Sequence, residues 1–204
     1  MKRHALVLMG TFALAAAPLF AQAPAGAGTA AQSSAAAPSA APAGTAAAPS
    51  TAAAPSTADA IRQSYNVVKN NLLKAADKMP DDAYDFKPTP EERSFGGWVA
   101  HVADAQTAGC SRVTGNPTGG GAASKTSKAD LVAALKDSFQ ICDAAYASLT
   151  DSNSGDVVQS FRGATTRLAS LAGNAGHDNE CYGAMAVYMR LKGIVPPSSE
   201  PRSR

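Results

Sequence analysis

The stretch Thr57-Ala-Asp-Ala-Ile-Arg-Gln-Ser-Tyr-Asn-Val-Val-Lys-Asn-Asn-Leu-Leu-Lys-Ala-Ala-Asp-Lys-Met-Pro80 decides the fold class. Its apolar residues Ile61, Tyr65, Val68, Leu72 and Met79 recur at helical spacing, with Ala75 and Ala76 filling the missing turn. A stripe of this period covers one face of an α-helix and needs a partner to bury it. Ser56 or Thr57 can cap the start, and Pro80 ends the run.

The same period continues toward the C-terminus. Ser94 can cap a second helix carrying Phe95, Trp98, Val99 and Val102, which reaches about Val113. A loop of Gly, Asn, Pro, Ser and Thr from Gly115 to Ser124 separates it from a third helix, from about Ser127 to Leu149. Leu131, Leu135, Phe139, Cys142, Tyr146 and Leu149 form the core face of that helix. Asp151 to Ser160 reads as polar loop. A fourth helix begins near Thr165, carries Leu168, Leu171, Ala175, Tyr182, Met185 and Met189, and stops at Gly193 before Pro196 and Pro197. No stretch alternates as a half-buried strand does. The expected fold is therefore all-α, a single four-helix bundle of antiparallel type over residues 57–199, with a short tail at 200–204.

Charge separates this bundle from what precedes it. The chain of 204 residues has 18 Lys+Arg, 16 Asp+Glu and a formal charge of +2. Between Arg3 and Asp59 no Asp, Glu, Lys or Arg occurs, so Lys2 and Arg3 account for the whole excess. A neutral bundle has no basic face for a phosphate backbone, which argues against nucleic acid as a partner. Lys2, Arg3 and His4 followed by apolar Ala5 to Ala17 read as a signal peptide, residues 1–21, cleaved after Ala21 or after Ala23. The apolar run is shorter than the ~20 residues of a membrane span, so no stable membrane insertion is expected after cleavage. Residues 22–56 are almost wholly Ala, Pro, Ser, Thr and Gly, with Ala-Ala-Pro-Ser recurring around Pro38, Pro49 and Pro55. Such a linker has no large apolar side chains to offset the entropy of ordering. The expectation is an exported protein, periplasmic or secreted.

Two histidines and three cysteines follow the signal segment. His177 and Cys181 stand four apart, one turn along one helix face, and His101 on the second helix can supply a third ligand. Three protein ligands with an open position is the arrangement of a catalytic metal. Imidazole with thiolate suits zinc, and imidazole also suits nickel, copper or iron. Asp104, Asp178 and Glu180 are candidates to orient these ligands, against a plainer reading as solvated helix-surface carboxylates.

Four segments together resemble the DinB-like superfamily: Ser94-Phe-Gly-Gly-Trp-Val-Ala-His101-Val-Ala-Asp104, His177-Asp-Asn-Glu-Cys181-Tyr-Gly, Tyr188-Met-Arg-Leu-Lys-Gly-Ile-Val-Pro-Pro197 and Met79-Pro-Asp-Asp-Ala-Tyr-Asp-Phe-Lys-Pro-Thr-Pro90. The resemblance covers Thr57 to Ser199. It implies a strand-free four-helix bundle with a metal held by three histidines, one on the second helix and two spaced by four on the last. His101 matches the first and His177 the second, whereas Cys181 occupies the third position in place of histidine. A divalent metal, zinc or nickel, is the cofactor this implies, at His101, His177 and Cys181. Some members of the superfamily use such a metal to activate a low-molecular-weight thiol. The chemistry implied is thiol-transferase-like or hydrolase-like on a small-molecule substrate. The alternative is a metal-free bundle that binds a small molecule or partner, or serves as an exported scaffold. Homodimerisation through a helix face stays open.

Cys110 lies 16 residues beyond Ser94 and Cys142 lies 15 beyond Ser127, so both sit ~23 Å along their helices. Parallel second and third helices would bring the two sulfurs to one height. The Gly115–Ser124 loop would then have to recross the bundle. An exported chain is where such a bridge survives, so a Cys110–Cys142 disulfide is expected, with Cys181 left as the free thiol.

Overall fold

The computed structural model describes residues 54–201. The signal segment, nearly all of the linker and the last three residues lie outside the described residues, as do the expectations that fall on them. Four long helices dominate: α1 (Thr57–Lys78), α2 (Phe95–Val113), α3 (Lys128–Ala147) and α4 (Arg167–Leu191). Each starts the same way. Ser56, Ser94, Ser127 and Thr166 precede the four helices, and each hydroxyl accepts the N–H of the residue three further on. This satisfies one of the donors that a helix start leaves free, worth about 1 kcal/mol per cap. Among the described residues no helix is long and apolar enough to cross a membrane.

The helix directions follow from the contacts. Gly96 faces Leu131 near the starts of α2 and α3, and Cys110 bonds Cys142 near their ends, so these two helices run parallel. On α4, Tyr188 donates its hydroxyl hydrogen to Arg93 O, Asp178 meets Gln106, and Arg167 reaches Val113 O, so α4 runs antiparallel to α2. On α1, Arg62 reaches Leu149 O, and Lys69 pairs with Asp143 2.6 Å away on α3. At the other end of α1, the carbonyls of Asp77 and Met79 accept from Lys128, so α1 is antiparallel to α3. The bundle is therefore not antiparallel throughout.

A parallel α2–α3 pair requires its connection to return the length of the helix. Residues 114–127 do so along α2. Thr118 N–H donates to Ser111 Oγ, and Asp104 then accepts from Ala122 N–H at 2.7 Å and from Ala123 N–H at 3.1 Å. Gly120 passes so close that a Cβ there would lie 2.6 Å from Asp104 Cα. Only glycine fits this crossing.

The core joins all four helices. Tyr65 and Tyr146 stack with ring centroids 3.8 Å apart, and Leu72, Val99, Leu135, Met185 and Met189 are fully buried in the same core. Burying side chains of this size contributes about 1.5–3 kcal/mol each.

One feature departs from the strand-free expectation. Val157–Ser160 (β1) and Gly163–Thr166 (β2) pair antiparallel as a hairpin between α3 and α4. Each strand has four residues and only Val158 is buried, so no hydrophobic alternation announces them. The hairpin closes over Phe161-Arg162 because Gly163 adopts φ 101°, a value glycine reaches without strain. The residues expected to be polar loop up to Ser160 therefore include a strand. Helix α4 starts at Arg167, two residues later than near Thr165.

Candidate metal centre

His101 projects from α2, and His177 and Cys181 from consecutive turns of α4. The antiparallel packing of these helices brings the three together. One ligand atom from each lies within 4.8 Å of the others. The two Nε2 atoms are 3.1 Å apart, and Cys181 Sγ is 3.6 Å from His177 Nε2. A tetrahedral zinc with ligand distances of ~2.0–2.3 Å would separate two nitrogens by ~3.3 Å and a nitrogen from a sulfur by ~3.6 Å. The His101–His177 and His177–Cys181 distances match two edges of that tetrahedron.

The surroundings fix the histidine orientations. Asp178 is wholly buried and accepts from Gln106 Nε2 at 2.7 Å through one oxygen. Its other oxygen has no hydrogen-bond partner and faces His177 Nδ1 at 3.7 Å, an electrostatic contact rather than a hydrogen bond. A carboxylate behind Nδ1 is what an imidazole needs in order to offer Nε2 to a metal. These residues thus fit a divalent ion, by their donor set, their spacing and this orphaned oxygen.

The Nε2–Nε2 contact also requires one ring to donate and the other to accept. Burial, then Arg93, hold His101 below the usual histidine range. The Asp178 carboxylate foremost, then Cys181, push His177 up to about 10. His177 is therefore the donor. Burial raises Asp178, while His177 pulls it the other way.

Behind Asp178 a buried polar chain continues. Asn174 Nδ2 donates to Gln106 Oε1 at 2.9 Å, and Tyr146 donates its hydroxyl hydrogen to Asn174 Oδ1 at 2.9 Å. The Cys110–Cys142 disulfide, with Cα atoms 5.0 Å apart, lies against the Gln106 amide. Cys181 is the free cysteine and is buried. Gln106 and Asn174 were not visible as site residues, because amides at helical spacing look like any solvated surface.

The other carboxylates divide. Asp104 does not orient a ligand: it is spent on the N–H groups of Ala122 and Ala123. Asp178 is not a surface carboxylate, whereas Glu180 is exposed. Trp98 sits edge-on to His101, with ring centroids 5.9 Å apart and Arg93 over its face at 5.3 Å.

His101 and His177 line one end of a cleft of about 990 Å³ between α2 and α4, roofed at its far end by the hairpin. Ala105, Ala108, Gly109 and Gly173 make its floor. Small residues on facing helix turns are what leave the space.

The class defined by these observations is a four-helix bundle with a His/His/Cys cluster at the mouth of a cleft. The family model of the DinB superfamily matches residues 65–185, and the chain belongs to that superfamily. A DinB-like protein from Bacillus cereus ATCC 10987 shares the fold with a TM-score of 0.58 and 20% identity, covering 68% of this chain and 95% of that one. The DinB-like protein YjoA from Bacillus subtilis aligns with a TM-score of 0.56 and 21% identity, covering 71% and 99%. Comparison with curated proteins gives no match.

Proposed function

We propose that this chain is an exported, divalent-metal-binding member of its superfamily that acts on a small molecule in the α2–α4 cleft. The reading rests above all on the convergence of His101, His177 and Cys181, whose ligand atoms lie within 4.8 Å of one another. With an ion bound, His101 and His177 would hold it as neutral imidazoles and Cys181 as thiolate. Asp178 takes the Nδ1 proton of His177 into its field and keeps the ring aimed at the centre. The donor set favours zinc, with nickel second. Such an ion supplies Lewis acidity and lowers the pKa of a thiol or water held at the open position. Glu180 is the cleft carboxylate that, unlike Asp104, makes no hydrogen bond or ion pair among the described residues. Thiol-transferase-like or hydrolase-like chemistry follows from that arrangement, and the signal-like N-terminus supports a periplasmic or secreted location.

Metal analysis of protein purified under reducing conditions tests this. The expected result is one zinc or nickel per chain, lost in His177→Ala. No uptake by the wild-type protein after metal supplementation would leave a metal-free bundle.

A further inference from the structure

The cleft has a second end whose chemistry the metal centre does not explain. His101, Ala105, Ala108 and Arg112 follow one face of α2, and His177, Asn174, Gly173 and Ser170 line the facing strip of α4. The eleven residues from His101 to Arg112 correspond to ~16 Å of helix. The Arg112 side chain folds back, its Nη1 donating to Ala108 O at 2.6 Å, so its guanidinium stands somewhat nearer the metal centre than that rise suggests. Phe161 at the hairpin tip stacks on this guanidinium, with Cζ 4.2 Å from the ring centroid, and Arg162 follows it on the same rim.

Neither guanidinium takes part in an ion pair among the described residues. The hydrogen bond to Ala108 is the one Arg112 side-chain bond among them, and the residue lines the cleft with its other donors unpaired there. The carboxylates that line the cleft, Asp104 and Glu180, lie in the turns next to the histidines. The cleft is therefore polarised along its length: acidic groups and two histidines at one end, two uncompensated guanidinium groups at the other, small apolar residues between. Arginine held flat by an aromatic ring presents its fork of N–H groups to an oxyanion.

We propose that the cleft takes an elongated small molecule whose oxyanion end, a carboxylate or phosphate, is held by Arg112 and Arg162 while its reactive end reaches His101 and His177. This rests on the metal reading for the reactive end only. The apolar floor selects an extended, slender middle. Phe161 sets the plane of the Arg112 guanidinium, and the hairpin carries both Phe161 and Arg162. The hairpin is thereby the element that selects the anionic end.

Calorimetric titration of the zinc-loaded protein with mercaptohexanoate, mercaptooctanoate and mercaptoundecanoate, each against the matching mercapto-alcohol, tests the assignment. The expected result is a preference for the acid that grows with chain length to about ten- to a hundredfold. Arg112→Gln and Arg162→Gln should each reduce that preference while leaving zinc affinity and alcohol binding unchanged. Arg162 lies at an exposed hairpin tip, so its variant reads the anion end even where the Arg112 variant folds poorly. Equal affinity for acid and alcohol at every length would overturn the proposal. So would a variant that weakens both ligands alike. A failure of zinc to bind counts against the metal reading alone. Decanoate against decanol with zinc-free protein then reads the arginine end, and no preference for the acid there overturns the proposal as well. A preference matched by acetate would mean free-oxyanion binding and equally sink the elongated ligand.

Discussion

Two sides of α2 are built on opposite principles. Toward α3 the helix packs in parallel, closed by the Cys110–Cys142 bridge and by Gly96 against Leu131. Toward α4 it packs antiparallel, through His101, the Gln106–Asp178 hydrogen bond and a floor of alanine and glycine that leaves a cleft. A parallel pair forces a long return connection, and the disulfide offsets the entropy of that loop. The antiparallel pair needs no such strap, and its polar contacts fix geometry rather than fill volume. The closed side carries stability and the open side carries the cleft and the candidate ligands.

The sharpest way to break this contrast is to remove the bridge. The two cysteines are 32 residues apart, and a loop of that size gives about 3–4 kcal/mol of stabilisation in the chain-entropy account. Cys110→Ala with Cys142→Ala should therefore lower the melting temperature by roughly 10 °C. If the division of labour holds, zinc affinity measured well below the new transition stays within about threefold of wild type. A collapse of metal binding in the folded double variant would show that the bridge acts through Gln106 on the open side as well.

A smaller loss is expected at the return strap. Gly120→Ala forces the chain away from Asp104 Cα, where its Cβ would stand at 2.6 Å, and loosens the two hydrogen bonds that Asp104 accepts. Overpacking of this kind costs about 1–3 kcal/mol. Denaturant unfolding gives the value directly, and an unchanged midpoint would mean that the strap can shift without cost.

The open side should reveal itself through pH, with the smallest effect of the three because the His177 ring is partly exposed and screened. A histidine raised to about 10 contributes stability that is complete below its ordinary value of 6.5 and is lost as pH rises toward 10. His101, held low, acts in the opposite sense, its contribution lost as pH falls. In chelator-treated protein the stability difference between wild type and His177→Gln should therefore shrink steadily from pH 6.5 to 10. A difference independent of pH in that window would remove the Asp178–His177 contact from the account.

Much of this was legible in the chain. The four helices were visible from apolar periodicity, since burial of one face imposes a spacing that any reader can find. Their starts were nearly as clear, because Ser94 and Ser127 have hydroxyls where helices need acceptors. The bridge was accessible through equal heights of Cys110 and Cys142, given parallel helices. The hairpin was not legible: two four-residue strands with one buried side chain leave no period to read. Asp104 was a candidate to orient His101, against a plainer reading as a solvated carboxylate, and it is neither: it anchors the strap, because one turn of spacing says where a carboxylate stands but not which donors reach it.

The sequence by itself determined the helical class, the helix ends, the three candidate ligands and the neutral charge of the bundle, since each depends on local spacing or composition. Tertiary structure decided which helices run parallel, that His101 and His177 meet at Nε2, that Asp178 is buried behind them, and that alanine and glycine on facing turns open a cleft toward Arg112. Those facts depend on which helix faces which, and a one-dimensional pattern records the face of a helix without recording its neighbour.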